Sequence, residues 1–158
     1  MPSANVAEID FLSEQENHQQ ILTTTLGNQS FGMPVLSVQD ILRPRHVAQV
    51  PQAPADIAGL INLRGRIVTV IDLGHWLGFK SSPADEQMHI VVDYEGDLYS
   101  FLMDSVGDVV AVSNDASDPV PPNLPETWHK IVSDVLRQDD ELILIIDASK
   151  LLSELAGS

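Results

Sequence analysis

Two proline-rich stretches constrain what this chain can fold into. Pro44, Pro51 and Pro54 fall within residues 43–54, and Pro119, Pro121, Pro122 and Pro125 within residues 114–125. Each proline fixes φ at about −65° and removes a backbone donor, so neither stretch can be a long helix or a central strand. Around these crossings lie short apolar segments, many β-branched, bounded by turn-forming glycine, asparagine and aspartate. Residues 21–26 and 31–36 flank Gly27-Asn28-Gln29-Ser30 and read as a hairpin. Residues 60–63 and 66–71 flank Arg64-Gly65, a second hairpin with glycine in the tight position. Residues 89–94 and 98–103 flank Glu95-Gly96-Asp97, and residues 130–136 and 142–146 are joined through Gln138-Asp139-Asp140-Glu141. Val38-Gln39-Asp40-Ile41-Leu42 is either a helical turn or the start of a third strand. Residues 56–59 read as one helical turn ended by Gly59. Asp72 and Asp147 stand where N-caps are needed for short helices over 73–77, ended by Gly78, and 148–155.

The order of elements repeats. A shift of 68 places Phe31 on Tyr99, Met33 on Phe101, and Val38-Gln39-Asp40-Ile41 on Val106-Gly107-Asp108-Val109. A shift of 75 places Val70-Ile71-Asp72 on Ile145-Ile146-Asp147 and Leu77 on Leu152, the extra residues falling in the second proline-rich crossing. Each half reads hairpin, crossing, hairpin, short helix, which points to a duplication. Short strands with long crossings suit small closed barrels, because closure removes exposed edges. The expectation is a mostly all-β chain of two five-stranded barrels packed side by side, with a groove between them. Residues 1–18 are polar and acidic and read as a flexible arm, with a short helix over Ala7–Glu14 as the alternative. The domain is expected over 19–158, with subdomains 19–84 and 85–158 meeting in the polar break at residues 80–86.

Composition narrows the function. A chain of 158 residues buries roughly 70% of its unfolded surface and needs no staple to fold. Cysteine is absent, which excludes disulfides, thiolate metal sites and a cysteine nucleophile. The net charge of −15 disfavours nucleic acid as a partner. The longest apolar run, residues 142–146, is far short of the ~20 residues that span a bilayer, and residues 1–8 lack a signal-peptide pattern. A cytoplasmic location is expected.

No catalytic constellation emerges. His18, His46, His75, His89 and His129 form no metal-binding pair and read as loop or solvent-facing side chains. Gly59 and Gly65 bracket no phosphate loop, since no Lys-Ser/Thr follows. No Gly-x-Ser-x-Gly occurs. Asp72 and Asp147 each follow a β-branched strand, but capping explains both at once. No cofactor or metal is expected. The alternatives are a small-molecule-binding β module and an enzyme built on Asp72 or Asp147.

The stretch Gly59-Leu60-Ile61-Asn62-Leu63-Arg64-Gly65-Arg66-Ile67-Val68-Thr69-Val70-Ile71-Asp72-Leu73 resembles the signature of the CheW family of bacterial chemotaxis coupling proteins. Phe31-Gly32 through Val38-Gln39-Asp40-Ile41 looks like the family's upstream aromatic-Gly and Val-Gln-Glu-Ile segment. Met103-Asp104-Ser105-Val106 looks like its Val-Asp-x-Val segment, and residues 142–146 with Leu151-Leu152 match its closing strand and helix. The resemblance covers roughly residues 19–155. Thr69 stands where the family usually has proline, Asp40 replaces a glutamate, Gly74-His75-Trp76 replaces a segment beginning with arginine, and Asp134 stands where glycine is common.

This resemblance implies two SH3-like barrels and a non-enzymatic adaptor. The adaptor joins the cytoplasmic helical tips of chemoreceptors to the regulatory domain of a CheA-type histidine kinase, reaching membrane arrays only through those partners. Val38 matches a receptor-contact position of the family. A helical tip offers an apolar stripe that a groove can receive, so the candidate receptor-binding residues are Val35, Val38, Asp40, Ile41, Arg64 and Val106. Arg64 supplies a guanidinium fork that can bond carboxylates or helix-end carbonyls, and Asp40 is placed either to contact the receptor or to hold Arg64. The kinase is expected on an apolar patch of the first barrel.

Overall fold

The computed structural model describes residues 18–80, 82–113, 115 and 117–156. The expected arm lies outside these residues except for His18, which opens the first strand. The described residues form eleven strands. They are β1 His18–Leu26, β2 Gln29–Pro34, β3 Asp40–Leu42, β4 Ile57–Leu63, β5 Arg66–Ile71, β6 Met88–Tyr94, β7 Asp97–Met103, β8 Ser105–Ser113, β9 Ser117–Asp118, β10 Val132–Gln138 and β11 Glu141–Ile146. Three helices, α1 Leu73–Leu77, α2 Glu126–His129 and α3 Ala148–Ala156, and two 3-10 turns at Val35–Ser37 and Ala84–Glu86 complete the chain.

The strands make two SH3-like barrels. A central one has the order β3-β6-β7-β5-β4, and a terminal one the order β8-β1-β2-β11-β10-β9. The expected division after residue 84 therefore does not hold. The central barrel uses residues 40–103, and the terminal barrel takes β1 and β2 from the start of the chain and β8–β11 from its end. Each barrel holds the first hairpin of one repeat and the later strands of the other.

The exchange follows the sequence offsets. The pairs Ile41↔Ile90 and Leu42↔His89 reappear as Val109↔Leu22 and Val110↔Ile21. The parallel pairs Thr69↔Tyr99 and Val70↔Ser100 reappear as Leu144↔Phe31 and Ile145↔Gly32. Even the irregularity between Ile57 and Gly59 in β4 recurs between Val132 and Asp134 in β10.

Burial explains why the repeats do not fold apart. Successive strand side chains point to opposite faces. On β11, Ile143 and Ile145 face the terminal barrel interior while Leu144 and Ile146 face the core between the barrels. On β6, Val91 faces the central barrel interior while Ile90 and Val92 face that shared core. Both faces are buried, which is why these segments read as apolar runs without alternation. The shared core holds 18 buried residues, against seven and five in the central and terminal barrel interiors, so neither barrel keeps its largest apolar surface dry alone.

Three local expectations are corrected. Residues 56–59 are not a helical turn. Ile57 opens β4, and Gly59 lies at φ 151° where a Cβ would sit 2.2 Å from the Ala48 carbonyl oxygen. Ala48 bonds Leu60 in both directions, so backbone pairing overrides the local turn signal. Residues 105–113 form a long strand that the patterning does not mark, because most of its positions are exposed on both faces and mix Val109 with Asp108 and Gly107. His89 is fully buried rather than solvent-facing, with Nδ1 2.8 Å from the Ser100 hydroxyl and Nε2 without a partner among the described residues.

Two predictions follow from this packing. Gly59→Ala should lose about 3 kcal/mol or more, because backbone must move, whereas Gly65→Ala, with open space around it, should lose about 1 kcal/mol; urea unfolding of both variants checks the ratio. Burial, followed by the positive charge of Arg45, holds the His89 pKa below its ordinary value of 6.5. The unfolded chain then takes up a proton near pH 6.5 that the folded chain refuses, so stability should fall as pH drops through that value. His89→Gln should lose this component of the slope between about pH 7.5 and 5.5 in denaturant titrations.

Candidate functional site

β3 and β4 are the two edge strands of the central sheet and do not pair with each other. The open seam between them is where Asp40 and Arg64 meet. The turn between β4 and β5 needs positive φ at both central residues, 52° at Arg64 and 85° at Gly65. Gly65 alone therefore does not satisfy the turn. Arg64 occupies a left-handed position that glycine, asparagine or aspartate would fill at lower cost. Asn62 closes the tip by accepting from the Gly65 amide at 3.0 Å through Oδ1, which accounts for the asparagine of Asn62-Leu63-Arg64-Gly65.

The Arg64 guanidinium lies 3.4 Å from Asp40 Oδ2, while Asp40 Oδ1 accepts from the Ile41 amide at 2.9 Å. Arg64 remains 80% exposed against 26% for Asp40. An ion pair this exposed contributes about 0–1 kcal/mol to folding. The contact leaves most of the guanidinium open to solvent.

The other candidates separate. Ile41, next to Asp40, is 41% exposed. Val35, in the 3-10 turn, and Val38, just after it, are half-buried against the shared core. Val106 is packed on the same core but lies on β8 of the other sheet, opposite Thr24. The groove between the barrels has a volume of about 270 Å³. Leu36 and Gln39 line one side, Asp93 and Tyr94 the end of β6, and Asp147 and Leu152 the far wall. None of the six candidates lines this groove, and Leu36, wholly exposed, is the most prominent of the lining residues that sequence patterning missed. Pro34 is its one signal, since it ends β2 and turns the chain outward.

The carboxylates weighed for catalysis have structural work. Asp72 Oδ1 accepts from the His75 amide and Asp147 Oδ1 from the Lys150 amide, each at 3.1 Å, as N-caps of α1 and α3. Among the described residues no cluster of histidine or carboxylate is placed to hold a metal ion. Two departures from the family pattern also have local roles. Trp76 donates to the Thr127 carbonyl at 3.4 Å and Trp128 to the Leu77 carbonyl at 2.9 Å, a reciprocal latch between α1 and α2. Asp134 accepts from Ser117 Oγ at 3.1 Å where β9 meets β10.

The fold is a double SH3-like barrel, the architecture of a scaffold. The chain belongs to the family of CheW-like domains, whose model matches residues 20–156. It is similar to the chemotaxis protein CheW of Klebsiella aerogenes, 28% identical over 95% of this chain and 91% of that one. It is also similar to the chemotaxis protein CheW of Helicobacter pylori, 24% identical over 90% of this chain and 88% of that one. The crystal structure of the scaffolding protein TtCheW of Thermoanaerobacter tengcongensis matches with a TM-score of 0.74 at 26% identity, over 82% of this chain and 89% of that one. The function is that of a chemotaxis scaffold coupling receptors to the kinase CheA.

Proposed function

We propose that this chain couples the helical cytoplasmic tips of chemoreceptors to the regulatory domain of a CheA-type kinase, without catalysis of its own, in the cytoplasm. The observation that carries the receptor reading is Arg64. It is held in a left-handed turn, paired with Asp40 and left largely exposed beside Ile41. A receptor helix offers an apolar stripe and carboxylates, and this surface answers with Ile41 and a guanidinium. Val35, Val38 and Val106 are packed against the shared core, Val106 on the other sheet. No helix of the described residues is long and apolar enough to cross a membrane, so membrane association would come through partners.

Mixing the chain with receptor tips and its CheA-type kinase should give a ternary complex. Arg64→Ala and Ile41→Asp should each weaken receptor binding about tenfold or more, equivalent to about 1.4 kcal/mol. The thermal midpoint should shift by less than about 4 °C. Unchanged binding by both variants would move the receptor site elsewhere. Val38→Asp should also block pulldown, but with a clear loss of stability, because it places a carboxylate against the shared core.

A further inference from the structure

Leu36 stands apart from the rest of the described apolar surface. Its relative exposure is 101%, against 39–60% for the other five large apolar side chains left in water. Pro34 ends β2, and the 3-10 turn Val35–Ser37 carries the leucine out over the groove between the barrels. The groove adds apolar surface from Tyr94 at the end of β6 and from Ala148 and Leu152 of α3.

The start of β1 lies beside this turn. Ile21 pairs with Pro34 in antiparallel register, so the chain after Pro34 and the chain before Ile21 run on toward the same end, and β1 packs against the turn. With neighbouring strands about 4.8 Å apart, His18 comes within roughly 10 Å of Leu36. Residues 1–17 lie outside the described residues and lead into His18. Their sequence places Ile9, Phe11 and Leu12 close together, then a wholly polar connection, Ser13-Glu14-Gln15-Glu16-Asn17. The six steps from Leu12 to His18 span at most about 20–22 Å, which covers the distance to Leu36 and into the groove. The same reach excludes the cleft of Gly27, Phe79 and Trp128, which sits at the far end of β1, about 30 Å from His18.

We propose that Ile9, Phe11 and Leu12 of the same chain fold back over Leu36 and seat in the groove against Tyr94 and Ala148. The tether selects this occupant. A short flexible connection gives an effective concentration on the order of 1 mM, so a contact with a Kd of only about 0.1 mM in trans is about nine-tenths occupied in cis. Asp93 and Asp147 at the groove repel Glu8, Asp10, Glu14 and Glu16 of the segment, so apolar burial carries the contact and added salt strengthens it. A partner helix that enters the groove has to displace the segment first. The contact stands apart from the receptor reading, whose residues do not line this groove.

The full chain has no cysteine, so spin labels can be placed by Ala7→Cys and Ser153→Cys, the latter exposed on α3. Double electron–electron resonance should give one narrow distance, whereas a segment free over the eleven steps from Ala7 to His18 spreads by roughly 17–20 Å. Leu36→Ser, or Phe11→Ser with Leu12→Ser, should each broaden it. Leu36→Ser keeps the fold, checked by circular dichroism, since Leu36 is wholly exposed on the barrels. A fluorescein-labelled peptide of residues 5–14 should bind the Phe11→Ser, Leu12→Ser chain, and about tenfold more weakly the wild type, whose groove is already filled. Its Kd for the substituted chain should fall as salt rises from about 0.05 to 0.5 M. A broad wild-type distribution, equal peptide affinity for both chains, no binding up to about 1 mM, or binding weakened by salt would each overturn the proposal. A narrow distance that fades on dilution with unlabelled chain would overturn it too, by seating the segment on a second copy. None of these measurements involves a receptor, so receptor binding stands or falls separately.

Discussion

The apolar core between the two barrels is the interaction on which the rest of the structure depends. Phe31, Phe101, Ile71 and Ile146 come from both sheets and are fully buried in it. At ~25 cal/mol per Å² of apolar surface removed from water, a core of this size outweighs either barrel interior. It sets the relation of the barrels and therefore the groove. It also packs against Val35, Val38 and Val106, which come from both sheets.

The exchange of hairpins serves that core. A repeat folded on its own would place its first hairpin beside its own later strands. Exchange lets β3 pair with β6 and β8 with β1, so the chain crosses between barrels twice and ties them together. The Trp76 and Trp128 latch adds a polar tie at one end, and Trp128 packs 5.7 Å from Phe31 and 5.5 Å from Phe79 between ring centroids. Duplication followed by divergence then gives two copies of one surface with different charge. Asp40–Arg64 is retained as a pair in one, and Asp108 faces Asp139 in the other.

Much of the fold was legible because it is written in local chemistry. The four hairpins follow from turn residues between β-branched runs, and the helix bounds from Asp72, Gly78 and Asp147. The failures share one cause. Residues 56–59 become strand because Ala48 pairs with Leu60, β8 forms because β1 offers it an edge, and His89 is buried because its barrel closes around it. Each depends on a neighbour distant in sequence. At the site, Arg64 stood out from the Asn-Leu-Arg-Gly motif, while Leu36 did not, since Pro34 marks the end of β2 but not which following side chain stays exposed.

The sequence by itself determined the elements, the duplication and the family likeness, because turns, caps and repeat spacing are short-range properties. Tertiary structure alone decided which repeat each hairpin joins and which face of every apolar strand meets the shared core. It also decided that Asp40 lies against Arg64. Those outcomes depend on how much apolar surface two sheets bury together, and that sum exists only once the chain has crossed between them.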